Sequence, residues 1–415
     1  MEPRSGPEWL AVIIRCTQCS REEVWGTLGA CSGCGAVLRV DLPLEALEKL
    51  DRIPPGHGID RYRSLLPAST EIFSLAEGWT PLVPASALAP QASQVLLKCE
   101  GRNPSGSFKD RVAALAVTLA RENGAGGLLT ASSGNSASAM ATYCAAAGLP
   151  CAVLIETGNP ATKIRQVLAM GARLIPVEAL FDPGPDSVRD LLQTVSKKIG
   201  YYLGFAWAPV NPYLTEALKT ISFELFQQLQ GTPDWVVTPV GGGDLLHGMW
   251  KGWEELRLAG LIEHTPRMAG IQSESAPPLV RAFQQDLARV PPLDFANSRI
   301  SGMNVPFTGD HALQAIKESE GCALQVSDES VFETQEDLAR RYGIWVEPAG
   351  AAAVSGLEKL FTKGWAKSGE RVVCILSGAG FKDPHLAHPE AETILSGQVT
   401  PRDPAAILRR LQSAG

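Results

Sequence analysis

The chain has 415 residues, 45 % hydrophobic and 20 % charged, enough for two domains with substantial cores and a small appendage. Its 37 basic and 44 acidic residues give a formal charge of −7, and no long basic run is present, which argues against a binder of phosphate backbones. The N-terminus lacks a signal-peptide pattern and apolar runs such as 10–14 and 372–376 are too short to span a bilayer, so a soluble, cytoplasmic protein is expected.

Taken in chain order, the first distinct element is a cysteine module. Cys16, Cys19, Cys31 and Cys34 form two C-x2-C pairs with eleven residues between them. In a reducing compartment such pairs read as a structural tetrahedral zinc site, since four thiolates leave no open coordination position. A metal-free remnant is the alternative, because the spacing is shorter than in common ribbons. Cys99, Cys144, Cys151, Cys322 and Cys374 lie mostly in apolar surroundings and read as core thiols. A four-cysteine, zinc-ribbon-like module is expected over 1–42, followed by a connector carrying Pro54-Pro55-Gly56 and Leu66-Pro67.

From residue 95 onward, β-rich runs alternate with helical ones. The pattern predicts strands at 95–99, 127–130, 151–155, 173–177, 235–238, 268–271 and 372–376. It predicts helices from 109 to Asn123-Gly124, then at 133–147, 161–170, 215–229, 245–258 and 347–360. Residues 182–186 read as a loop, 289–308 as a long irregular segment (a lid or a surface excursion), and 404–411 as a surface helix. This alternation implies an α/β fold of two domains with mainly parallel sheets covered by helices: a smaller subdomain at about 120–215, and a larger one from the rest of 43–415.

Four segments fall at turns after predicted strands, where open parallel sheets gather ligands. In Asn103-Pro-Ser-Gly-Ser-Phe-Lys109-Asp-Arg111, a lysine enters the first turn of a helix whose Val112, Leu115, Ala116 and Leu119 form one apolar face. Free N–H groups and the helix dipole disfavour a second positive charge there, which suits an amine that attacks a carbonyl. A solvated lysine after a turn is the plain alternative. In Thr130-Ala-Ser132-Ser133-Gly-Asn135-Ser136, hydroxyls and N–H groups converge at a helix start, either a carboxylate site or a simple N-cap. Asn135 could also bond a ring oxygen. Pro239-Val-Gly241-Gly242-Gly243-Asp244 lacks the marks of a nucleotide loop or a dinucleotide fingerprint. It reads as a phosphate cradle of backbone N–H groups or as a flexible turn. In Cys374-Ile-Leu-Ser377-Gly-Ala-Gly, a serine ends a strand and offers a neutral partner to a heteroaromatic nitrogen.

Together these supply an imine-forming amine, an oxygen-side asparagine, a phosphate cup and a ring-nitrogen partner, the set that holds pyridoxal 5'-phosphate. Glu77-Gly-Trp-Thr-Pro-Leu82, Asn211-Pro-Tyr213, Glu347-Pro-Ala-Gly-Ala-Ala352 and the run from Ser377 to Pro384 accompany them in order over most of 75–385. On these motifs the chain resembles a fold-type II pyridoxal-phosphate enzyme of the threonine synthase-like group. The resemblance implies a Schiff base at Lys109 and contact of Asn135 with the cofactor's 3-oxygen. It places Gly241, Gly242, Gly243, Asp244 and Leu245 around the phosphate, with Ser377 facing the pyridine nitrogen. A hydroxyl there keeps the ring a milder electron sink, which suits elimination and replacement.

The implied reaction is a lyase conversion of O-phosphohomoserine and water to threonine and phosphate. Ser105, Ser107, Ser132, Ser133, Lys163 and Lys382 are the candidates for holding substrate. Two departures keep alternatives open: Leu214-Thr-Glu follows Asn211-Pro-Tyr213 where an arginine is frequent, and Val112 stands where a glycine is usual. The alternatives are β-replacement, as in cysteate synthase-like enzymes, and β-elimination, as in serine/threonine dehydratases. Outside enzymes, the alternative is a pseudoenzyme or adaptor. The expected partner is a small phosphorylated amino acid, without nucleic acid or membrane, and a homodimer is common among similar proteins.

Overall fold

Short antiparallel strands frame the cysteine pairs: β1 (Ile13–Cys16), β2 (Glu22–Glu23) and β3 (Leu38–Asp41) form a sheet of order β2-β1-β3. The computed structural model describes residues 12–383 except 44, 46, 48, 49, 51, 133, 158–160, 182 and 183, and only the backbone of 161–163. Ser133, the Lys163 side chain and the helix expected at 404–411 therefore lie outside the described residues.

The chain continues through β4 (Leu82–Pro84), β5 (Gln94–Cys99) and α1 (Lys109–Glu122). Next come β6 (Leu128–Ala131), α2 (Asn135–Ala147), β7 (Cys151–Glu156), α3 (Ala161–Ala169), β8 (Arg173–Val177), α4 (Pro185–Ile199) and β9 (Tyr202–Leu203). After them follow α5 (Pro212–Thr215), α6 (Thr220–Leu229), β10 (Trp235–Pro239), α7 (Asp244–Leu258), β11 (Arg267–Ser273) and α8 (Pro278–Gln284). The last elements are α9 (Asp310–Glu318), β12 (Cys322–Val326), α10 (Asp328–Tyr342), α11 (Pro348–Thr362) and β13 (Arg371–Leu376). Two central sheets result. One has the order β12-β11-β10-β13-β5-β4, parallel except for the antiparallel edge β4, and the other is the all-parallel β8-β7-β6-β9.

Parallel strands must be covered on both faces, and the central strands comply. Val95, Leu97, Trp235, Val236, Val237, Val372, Val373 and Cys374 are fully buried. In register, Val237 pairs with Cys374 and Cys374 with Leu97, so β10, β13 and β5 end side by side. Their carboxyl ends carry the glycine turn, Ser377 and the Lys109 segment respectively. The sheet order thus gathers three of the four motifs at one edge.

Helix α1 departs from the single apolar stripe expected of it. Beyond Val112, Leu115, Ala116 and Leu119, it also buries Asp110, Arg111, Ala113, Ala114, Val117, Thr118 and Ala120. Its alanines admit neighbours on every side, and its two charged residues are paired. The Arg111 guanidinium lies between two carboxylates, with Nε and Nη2 each 2.8 Å from Glu100 and Nη1 2.5 Å from Glu224. Lys98 Nζ donates to Glu224 Oε2 at 2.9 Å. All four side chains are fully buried, two positive and two negative. Thr80 and Asn103 complete Glu100 with bonds of 2.7 and 2.9 Å, which ties two of the recurrent motifs to the root of α1.

The predicted helix 215–229 is broken into α5, a 3-10 turn (Glu216–Lys219) and α6. Helix α4, with proline at its first turn, begins inside the segment read as a loop. The cysteine module docks beside this region: Tyr213 OH accepts from Gly26 N at 2.7 Å, Trp25 packs edge-on against the Tyr213 ring, and Gly29 N donates to Val210 O.

Candidate active site

Lys109 opens α1, and its half-buried side chain brings the amine to 3.5 Å from Ala206 O. Burial lowers its pKa, an effect partly offset by the Asp244 carboxylate. The preceding Phe108 N donates to Ser377 O at 3.0 Å, which fixes the lysine segment against the end of β13. Residues 206–208 link the lysine to the glycine turn. Trp207 Nε1 donates to Gly242 O at 3.2 Å, and Ala208 N donates to Asp244 Oδ1 at 2.7 Å.

The turn leaves little room for side chains, least at Gly241 and Gly243. A Cβ on Gly241 would lie 2.6 Å from Gly302 O, and one on Gly242 would lie 3.2 Å from Trp207 Cδ1. At Gly243, with φ of 102°, a Cβ would lie 2.6 Å from that of Ala312. The irregular segment 289–308 supplies part of this backing, through Gly302 and through Thr308, whose Oγ1 donates to Gly241 O at 2.7 Å. Leu245 follows Asp244 in the first turn of α7 and is buried.

Asn135, the first residue of α2, donates from Nδ2 to both oxygens of Glu347, at 3.0 and 2.8 Å. Ser377 Oγ donates to Oε1 of the same carboxylate at 2.8 Å. Lys109, Asn135, the glycine turn and Ser377 are therefore joined through short chains of direct contacts. Of the substrate candidates, Ser105 donates from Oγ to Asp110 Oδ2 at 2.7 Å, and its carbonyl accepts from Lys382 Nζ at 2.8 Å. Lys382 also donates to Gln166 Oε1 at 3.0 Å, so both are committed to partners within the protein. Ser132 Oγ accepts from Gly134 N at 3.1 Å, while the Ser107 hydroxyl is buried with no partner.

Sequence reasoning missed Glu347, His311 and Thr308. Glu347 was visible only as part of a recurrent motif. His311 is buried behind the turn, its Nε2 3.3 Å from Asp244 Oδ1, and no local pattern marks it.

The cysteine module holds a second constellation. The four Sγ atoms of Cys16, Cys19, Cys31 and Cys34 lie within 4.8 Å of one another, with Cys16–Cys34 at 3.4 Å and Cys19–Cys31 at 3.6 Å. A tetrahedral zinc with bonds of about 2.3 Å would separate its sulfurs by about 3.8 Å, close to this spacing.

Fold and site together define an α/β enzyme class with a half-buried lysine and a glycine turn at the carboxyl ends of parallel strands. The model of the pyridoxal-phosphate dependent enzymes matches residues 73–378, and the chain belongs to that family, as a threonine synthase-like lyase. It is 37 % identical to a threonine synthase of Methanocaldococcus jannaschii over 391 residues, 91 % of this chain and 94 % of the relative. A threonine synthase of Mycobacterium tuberculosis is 35 % identical, covering 85 % of this chain and 95 % of the relative. Among solved structures, a T.th. threonine deaminase aligns with a TM-score of 0.60 at 26 % identity, covering 72 % of this chain and 92 % of that one. Maize serine racemase aligns at 0.62 and 20 % identity, covering 80 % and 93 %, a likeness of fold.

The residues fit pyridoxal phosphate on two observations: a glycine turn closed to a Cβ at Gly241 and Gly243, and buried hydroxyls of Ser107, Ser136 and Thr238 that have no partner within the protein. Gly243→Val is expected to abolish cofactor retention, read as absorbance remaining after gel filtration. The clash falls on Ala312 behind the turn, not inside the cup, so the turn itself must move. Wild-type retention would contradict this.

Proposed function

We propose that this chain is a threonine synthase acting on O-phosphohomoserine, with Lys109 holding pyridoxal phosphate covalently. Asn135 would meet the cofactor's 3-oxygen, the N–H groups of 241–245 its phosphate, and Ser377 its ring nitrogen. When bound, the cofactor supplies an electron sink for negative charge at the substrate's Cα. The carrying observation is the half-buried Lys109 amine, linked to the glycine turn through residues 206–208 and to Ser377 through Phe108, in a chain aligned with threonine synthases along nearly its whole length.

The amine's lowered pKa suits a base that takes the substrate's Cα proton and returns a proton later. Trp207 and Phe307, whose rings lie 5.0 Å apart, sit beside the turn. In the net reaction phosphate leaves from Cγ and water adds at Cβ, so that substrate and water balance threonine and phosphate. Ser107 is the free hydroxyl among the described substrate candidates. Ser105 and Lys382 would have to exchange their present partners to bind substrate.

A substrate panel tests the reading. Phosphate and threonine in equal amounts are expected from O-phosphohomoserine. Ammonia and a 2-keto acid from serine or threonine would instead favour a dehydratase, and sulfite incorporation into O-phosphoserine a cysteate synthase-like enzyme.

The four cysteines are read as a structural zinc site. Metal analysis is expected to give about one zinc per chain, and chelation to lower the melting temperature. Metal-free protein of unchanged stability would leave the remnant reading. A cytoplasmic location fits the nine unpaired thiols. Among the described residues, no helix is long and apolar enough to cross a membrane.

A further inference from the structure

The glycine turn is hydrogen-bonded on one side only. Its carbonyls all accept: Gly241 O from Thr308 Oγ1 at 2.7 Å, and Gly242 O from Gly309 N at 3.1 Å and Trp207 Nε1 at 3.2 Å. Gly243 O accepts from His247 N at 3.1 Å. The N–H groups of Gly242, Gly243, Asp244 and Leu245, by contrast, donate to no group among the described residues. Free donors are usual in the first turn of a helix, which accounts for Asp244 and Leu245 at the start of α7. Gly242 lies two residues ahead of α7, so something other than the helix sets the direction of its N–H.

Peptide planarity identifies what does. In a trans peptide the C=O of one residue and the N–H of the next point in opposite directions. A donor that holds Gly241 O therefore turns the Gly242 N–H away from itself, and donors on Gly242 O do the same for Gly243. The Thr308 hydroxyl has a fixed sense in this arrangement. Gln272 Oε1 accepts from Leu279 N at 2.8 Å and Val280 N at 3.2 Å, so the amide nitrogen faces the other way, where it donates to Thr308 Oγ1 at 3.1 Å. Thr308 accepts that proton and gives its own to the Gly241 carbonyl, which can only accept. Both side chains are buried, and Gln272 stands on β11, the strand next to β10.

We infer that Thr308, oriented by Gln272, is a positioning residue that aims the Gly242 N–H at the cofactor's phosphate, and that Trp207 does the same for the Gly243 N–H. This rests on the reading of 241–245 as the phosphate's cup. The end of the irregular segment 289–308 is then a brace behind that cup, and the shape of the cup depends on a side chain that touches no ligand.

The test titrates full-length protein, stripped of cofactor, with pyridoxal phosphate and separately with pyridoxal, which can form the same imine but carries no phosphate. Absorbance reports both. Thr308→Val keeps the shape of the side chain and removes the donor. Its dissociation constant for pyridoxal phosphate is expected to rise about ten-fold, as for a buried acceptor left unpaired, with that for pyridoxal unchanged. Thr308→Ser restores the hydroxyl and is expected to recover tight binding of the phosphate form. Trp207→Phe removes one of the two donors to Gly242 O and is expected to lose less, again for the phosphate form alone. It carries the test should Thr308→Val fail to fold. An equal loss for both ligands, or none for either, overturns the inference, as does a Thr308→Ser protein no better than Thr308→Val. Wild type that binds pyridoxal phosphate no more tightly than pyridoxal instead removes the reading of the cup beneath it.

Discussion

Replacing Lys109 with alanine is expected to reduce turnover by about a thousand-fold or more and to leave the purified protein without covalently held cofactor. The magnitude follows from the loss of two roles at once, the attachment point and the base. Among the described residues no other amine is placed to substitute: Lys382 is tied to Ser105 and Gln166, and Lys98 is locked to Glu224. Phosphate release and absorbance near the visible edge check both roles. Turnover within a few-fold of wild type would show that chemistry lies elsewhere.

Arg111→Ala is expected to have the largest effect on stability. It strands Glu100 and Glu224, both fully buried, with only Lys98 left to balance two negative charges. Removing one partner from such a cluster costs about 3–5 kcal/mol. For a chain of this size that corresponds to a fall in melting temperature on the order of five degrees. Arg341→Ala is the matched control. Its pair with Asp337 is exposed, and the expected cost is within about 1 kcal/mol. Thermal unfolding of the two variants side by side distinguishes a structural cluster from a surface one. Because α1 begins at Lys109, Arg111→Ala is also expected to weaken cofactor retention even where the protein folds.

Much of this architecture was legible in the sequence because its signals are local. The alternation of β-rich and helical runs marked seven of the parallel strands, and Gly148 in the left-handed conformation closes α2 where the sequence suggested. Glycine turns and strand-ending serines are likewise visible residue by residue. Partnership across the fold was less legible. Helix α10 carries paired charges and a weak apolar stripe, and β12 is a short run just before it. Neither stands out without its neighbours.

The same holds for the site. Glu347 and Ser377 are thirty residues apart, and nothing in either segment indicates that one hydroxyl proton joins them. Arg111 was part of a recognised motif, yet its role became clear only when Glu100 and Glu224 were seen on either side of it. Tyr213 gave no sign that it would receive the cysteine module through Gly26 and Trp25.

The most direct measurement is borohydride reduction of the cofactor-loaded protein followed by peptide mass spectrometry. The added pyridoxyl mass is expected on the peptide containing Lys109. The same mass on a different lysine, or none on protein that visibly retains cofactor, would contradict it.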